Sequence, residues 1–111
     1  MEPKLKAGLW VKAQVRTCDV AMIPIAILRK GDADAGAILL KLNRMDGTCQ
    51  VLSQTRDLDG RRTWMRATGA EPVAEADADA YIERQVSRDR DVWVIEIEDA
   101  QGRYEPDAPV V

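Results

Sequence analysis

Residues 24–43 read Pro24-Ile25-Ala26-Ile27-Leu28-Arg29-Lys30, then Gly31-Asp32-Ala33-Asp34-Ala35-Gly36, then Ala37-Ile38-Leu39-Leu40-Lys41-Leu42-Asn43. Two apolar runs joined by a polar link with a glycine at each end read as a β-hairpin. Each run is apolar on successive residues rather than on alternate ones. That is the pattern of a strand covered on both faces, so both strands are expected at the centre of a sheet.

Downstream, Asp46-Gly47 and Asp59-Gly60 are favoured tight-turn pairs. They bound a third strand over Cys49–Thr55, with Cys49, Val51 and Ser53 on one face and Gln50, Leu52 and Gln54 on the other. A fourth strand over Arg62–Ala67 is more polar, as an edge blunted by arginines would be. Upstream, Val11, Val15, Cys18 and Met22 recur at helical spacing and predict a helix over residues 8–21, ended by Ile23-Pro24. Alternation at Val11, Ala13 and Val15 also fits a strand, over fewer residues. Residues 1–6 are expected to fray.

After a connection over residues 68–74, Ala78, Ile82 and Val86 set a second helix over 75–87. Glu75, Asp77 and Asp79 crowd its first turn and Arg84 and Arg88 fall in its last, which reads as a solvated face matched to the macrodipole. Val92–Ile97 is the last strand, and residues 104–111, with two prolines, read as a disordered tail. The order αββββαβ describes one α+β domain over residues 1–103, with a mostly antiparallel five-stranded sheet in the order 5-1-2-3-4 under two helices.

A chain of 111 residues can bury a core without a staple. Net charge is −3, distributed as +2 over residues 1–24, +3 over 25–68 and −8 over 69–111. A dedicated nucleic-acid binder shows a strong basic excess, so nucleic acid is not the expected partner. No apolar run has the length of a membrane span, and no export signal is visible. A cytoplasmic location is expected, with Cys18 and Cys49 as buried thiols.

Histidine is absent, which removes Ser-His and Cys-His dyads, imidazole metal sites and the usual neutral-pH base. No phosphate-binding, dinucleotide or zinc-protease motif occurs. The sequence therefore names no catalytic residue and calls for no cofactor. Asp32 and Asp34 could begin an oxygen-ligand metal site. As an EF-hand loop they fail, because Gly36 stands at a ligand position, Ala37 at the turn glycine and Asn43 at the bidentate glutamate. The plainer reading is Asx turns with the glycines at positive φ. Glu96 and Glu98 share one side of the last strand and are a second candidate carboxylate pair. An Asp32/Asp34/Glu98 site is excluded if the last strand runs antiparallel to the first, a geometry that brings Arg88 and Arg90 toward the aspartates. Arg62, Trp64 and Arg66, within a basic set that includes Lys41, Arg44, Arg56 and Arg61, are a candidate interaction surface for single strands or for an acidic protein.

Leu9-Trp10-Val11, the run from Arg29 through Gly31-Asp32-Ala33-Asp34-Ala35-Gly36 to Ala37, and Val92-Trp93-Val94-Ile95-Glu96-Ile97-Glu98-Asp99 together resemble a family of short uncharacterised bacterial proteins. It is a domain of unknown function found mainly in alphaproteobacteria. The resemblance spans most of residues 5–103 and implies a cytoplasmic single-domain protein, with no site residue or ligand to carry over. Two strands apolar on both faces, with only two helices to cover them, imply an apolar patch for a partner or a second copy. A non-catalytic interaction module is thus the leading expectation. A Mg²⁺-dependent phosphoester enzyme built on the carboxylate pairs is the alternative.

Overall fold

The computed structural model describes residues 5–111. Helix α1 (Ala7–Val20) is followed by β1 (Ile25–Arg29), β2 (Ile38–Asn43), β3 (Thr48–Arg56), β4 (Arg62–Arg66), the short β5 (Val73–Ala74), α2 (Glu75–Arg88) and β6 (Trp93–Glu98). The class is α+β with one mixed sheet between two helices. Both helices lie within a residue of their expected spans. Helix α1 closes through Met22 in the left-handed region at φ 59, with the Ile23 amide donating to the Cys18 carbonyl at 2.8 Å.

The strand order corrects the expected one. It is β1-β6-β2-β3-β4, with β5 paired to β3. The last strand inserts between the first and second, parallel to β2 and antiparallel to β1. Strands β1 and β2 are therefore not a hairpin, and β1 lies at a border instead of the centre. The physical reason is that β6 has more to bury. Trp93, Ile95 and Ile97 face α1 while Val94 faces α2, all nearly inaccessible. In β1, by contrast, Ile27 and Leu28 remain about half exposed, at 48% and 52%.

Loop 30–37 consequently bridges two strand spacings, roughly 9.5 Å, over the start of β6. The Asp32 amide donates to the Asp91 carbonyl at 2.9 Å, the Trp93 amide to the Ala37 carbonyl at 2.8 Å, and the Trp93 indole to the Asp32 carbonyl at 2.8 Å. Gly31 and Gly36 are not at positive φ. A Cβ on either would collide with the Asp91 carbonyl, so they are glycine for close approach, not for turn geometry.

Two cores flank the sheet. Trp10, Val11, Cys18, Leu40, Leu52, Trp64, Trp93, Ile95 and Ile97 fill the α1 side, and Leu39, Cys49, Val51, Ala78, Ile82 and Val94 fill the α2 side. Cys18 and Cys49 are buried, free and in opposite layers.

Residues 104–111, expected to be a disordered tail, instead pack on the α1 side and along β4. Tyr104 is buried and its hydroxyl donates to Gln14 at 3.0 Å. The Trp64 amide donates to the Pro109 carbonyl, and the Val111 amide to the Trp64 carbonyl. The prolines do not disrupt this, because an edge segment needs few donors. Asp107 fixes the tail by accepting from the indoles of Trp10 at 2.7 Å and Trp64 at 3.1 Å and from the Arg62 guanidinium. Asp107→Ala strands two largely buried indole donors and is expected to cost about 2 kcal/mol. Urea denaturation measures it, and a loss under about 0.5 kcal/mol would mean the tail is not held this way.

Candidate functional site

The sequence-derived site residues are not brought together. Asp32 turns its carboxylate into its own loop, accepting from the amides of Asp34 at 3.1 Å and Ala35 at 2.7 Å; this is an Asx turn. Asp34 makes an exposed pair with Lys6 at 3.7 Å, a contact of small worth. Arg88 and Arg90 make no ion pair with either aspartate among the described residues. Instead the Arg90 carbonyl accepts from the Arg29 guanidinium at 2.8 Å. Trp64 is fully buried and its indole is committed to Asp107, so it offers no face on which a base could stack. Arg62 is held by the same aspartate, and Arg66 is exposed at the end of β4.

Glu96 belongs to a polar cluster that sequence reasoning missed. Lys41, buried on the α2 side of β2, sends its ammonium to Asp79 at 2.7 Å, Glu75 at 2.8 Å and Glu96 at 3.3 Å. Asn43, two residues along the same face, donates to Glu96 at 3.1 Å and Glu75 at 3.4 Å. Lys41 is thus committed to carboxylates and is not a free member of the basic set around Trp64, and Glu75 and Asp79 do more than line a solvated helix face. Glu98 stays exposed beyond the cluster. The signal was present in Leu40-Lys41-Leu42, since a charge inside a core strand requires buried partners. Burial alone pushes the Lys41 pKa down, but the hydrogen bonds it donates to Asp79 and Glu75 and the charge of Glu96 outweigh it, and the net shift is upward. The amine is a fixed cation, unsuited to nucleophilic work at neutral pH. Burial likewise pushes both thiols up, with Asp19 and Asp99 adding to the effect on Cys18, so neither is an activated thiolate.

A cleft of about 270 Å³ opens beside Trp10, between loop 34–37 and the Gln54–Arg56 end of β3. Its two guanidiniums are engaged, Arg56 with the Gly60 carbonyl and Arg62 with Asp107.

The remaining feature is the outer side of β1. The Glu98 amide donates to the Pro24 carbonyl, and the register pairs Ala26 with Glu96. Antiparallel alternation then directs the amide and carbonyl groups of Ile25 and Ile27 away from β6. No described residue pairs with them. A bulge between Ile27 and Arg29 confines this free ladder to Ile25–Ile27. Because α2 lies over β2 and β3, the α2 side of β1 is open. A shallow groove there is lined by Leu28, Ile82, Val86 and Val94, with Asp79 and Glu83 on its rim. Val20 and Met22, at the end of α1, are exposed just before β1. The opposite border is different, since the tail covers β4.

No described helix is long and apolar enough to cross a membrane. Among curated proteins none matches the chain. Solved structures do. A DUF1491 family protein from Caulobacter crescentus CB15 has a crystal structure that superimposes with a TM-score of 0.87 at 39% identity, covering 97% of this chain and 100% of that one. An NMR structure of a DUF1491 family protein from the same organism gives 0.83 at 39% identity, over 99% of each chain. Protein Atu0922 from A. tumefaciens gives 0.73 at 26% identity, over 86% of each. The model of the family described as "Protein of unknown function (DUF1491)" matches residues 5–105. With nearly its whole length matched and its fold shared with these bacterial proteins, the chain belongs to the DUF1491 family, whose function is unknown.

Proposed function

We propose that this chain is a small non-catalytic interaction module of the bacterial cytoplasm that binds polypeptide by strand addition at the outer side of β1. The contrast between the two borders of the sheet carries the reading. Soluble proteins protect sheet borders with charge, proline or a covering segment. The β4 border has arginines and the C-terminal tail. The β1 border has free ladder groups at Ile25 and Ile27, no charge before Arg29, and an apolar groove alongside. The patch thus arises where a core strand was expected, through exposure of β1 and not through a shortage of helices. The chemistry elsewhere agrees with a binding role: Lys41 and both thiols are held in unreactive forms, and Asp32 and Glu96 already have donors. Two unpaired thiols in separate layers also suit a reducing compartment.

Titrating ¹⁵N-labelled protein with a peptide of residues 22–31 tests the edge itself, since a strand supplies ladder groups whatever else the partner contains. The expected result is saturable amide shifts centred on Ile25 and Ile27, absent at β4. An unchanged spectrum at about 1 mM peptide, a concentration at which even weak strand addition registers, would defeat the reading.

A further inference from the structure

We infer that the polypeptide taken up at this edge is the β1 strand of a second copy, paired antiparallel about a two-fold axis through Ala26; the inference rests on the strand-addition reading above. Its basis is the self-complementarity of the free ladder. The two residues whose amides and carbonyls point outward, Ile25 and Ile27, are symmetric about Ala26. An antiparallel copy therefore sets Ile25 against Ile27 of its mate and Ile27 against Ile25, satisfying both donors and both acceptors on each side. The residue on the axis forms the non-hydrogen-bonded pair, where backbones come closest, and there the chain carries alanine.

Side chains fit the same register. Ile25 and Ile27 lie on the α1 face, opposite Ile97 and Ile95 of β6, so two copies bring four isoleucines together there. On the α2 face Leu28 lines the groove beside the paired residues. Charge permits the approach, because Ile23 to Leu28 contains no ionisable residue. The first cations, Arg29 and Lys30, lie beyond the bulge that ends the paired segment. A pairing of three residues is short, and the area it buries places the complex at the weak end of specific association.

Light scattering coupled to size exclusion, over about 10 µM to 1 mM chain, tests this with the intact protein. The mass should climb from 12.4 kDa toward twice that value. Ile27→Pro removes one outward donor without touching the β6 ladder, and Ile27→Lys puts a charge beside the axis on an already half-exposed position. Each should weaken the dimer at least about tenfold, the proline variant by removing two hydrogen bonds per dimer, one from each copy, with unchanged circular dichroism. Ile27→Lys keeps the test open if the proline variant misfolds. A wild-type monomer throughout the range overturns the self-pairing, as does a dimer indifferent to both substitutions. If the monomer still binds the peptide of residues 22–31, strand addition stands and only the second copy is lost; if it binds neither, both readings fall.

Discussion

Lys41→Met is expected to destabilise the fold by about 3 kcal/mol, read as a shift in the urea midpoint at constant slope. Methionine fills nearly the same volume, so little packing is lost. What remains is three carboxylates, Glu75, Asp79 and Glu96, converging on an apolar thioether. Removing one partner from a buried ionic group generally costs about 3–5 kcal/mol. The lower end applies because Glu75 and Asp79 are roughly half exposed and regain water, whereas Glu96, at 19%, regains little. Adding Glu96→Gln to Lys41→Met should therefore recover about 1 kcal/mol, whereas Glu96→Gln alone should be destabilising. The pH dependence has a definite sign. Folding raises the Lys41 pKa above its ordinary 10.5, so its contribution is fully present below that value. It fades only as pH rises beyond it, through the folded-state pKa. A loss from the single variant below about 1 kcal/mol would mean the cluster acts as surface pairs do.

Local signals carried the elements of this fold better than their arrangement. The helical stripes of Val11, Val15 and Cys18, and of Ala78, Ile82 and Val86, are legible because one face of each helix packs on the sheet, whereas Met22, the fourth member of the first stripe, lies past the helix end and is exposed. The alternation of Cys49 and Val51 against Leu52 correctly divided β3 between two cores. What failed was the step from an apolar strand to a central one. Ile25–Leu28 is as greasy as Ile38–Leu40, yet one is a border and the other a core, and hydropathy does not distinguish a strand hidden by its own chain from one left open. The connection of residues 30–37 held the missing clue, since hairpin loops usually have two to five residues and this one is longer. The order of the tail is hidden from the sequence for a related reason. Proline content argued for disorder, whereas its anchor is one carboxylate, Asp107, whose partners lie far away in sequence. Of the candidate carboxylates, Asp32 is taken up by its own loop amides and Glu96 by Lys41 and Asn43, pairings that no spacing rule reveals.

Gly31→Ala and Gly36→Ala should each cost about 3 kcal/mol, the upper end for forcing a methyl into packed surroundings, and should lower the melting temperature by about 12 °C. At Gly31 the added carbon meets the Asp91 carbonyl and comes within 2.7 Å of Trp93 Cδ1; at Gly36 it meets the same carbonyl and lies 2.8 Å from the Asp32 carbonyl oxygen. Most of these obstacles are backbone held by the hydrogen bonds of Asp32 and Trp93, so they cannot swing aside as a flexible side chain would. Gly60→Ala is the internal reference. That glycine sits at φ +78 with open space around it, and alanine there should cost only the left-handed strain of about 1 kcal/mol. The ranking discriminates between topologies. Were β1 and β2 a hairpin, Gly31 and Gly36 would flank an exposed turn and behave like Gly60. Because β6 passes beneath the loop, a methyl on either side must lift the loop off the strand or push β6 out of register with β2. Equal, small losses at all three glycines would show that the last strand does not enter there, and with it would go the open β1 border on which the binding proposal stands.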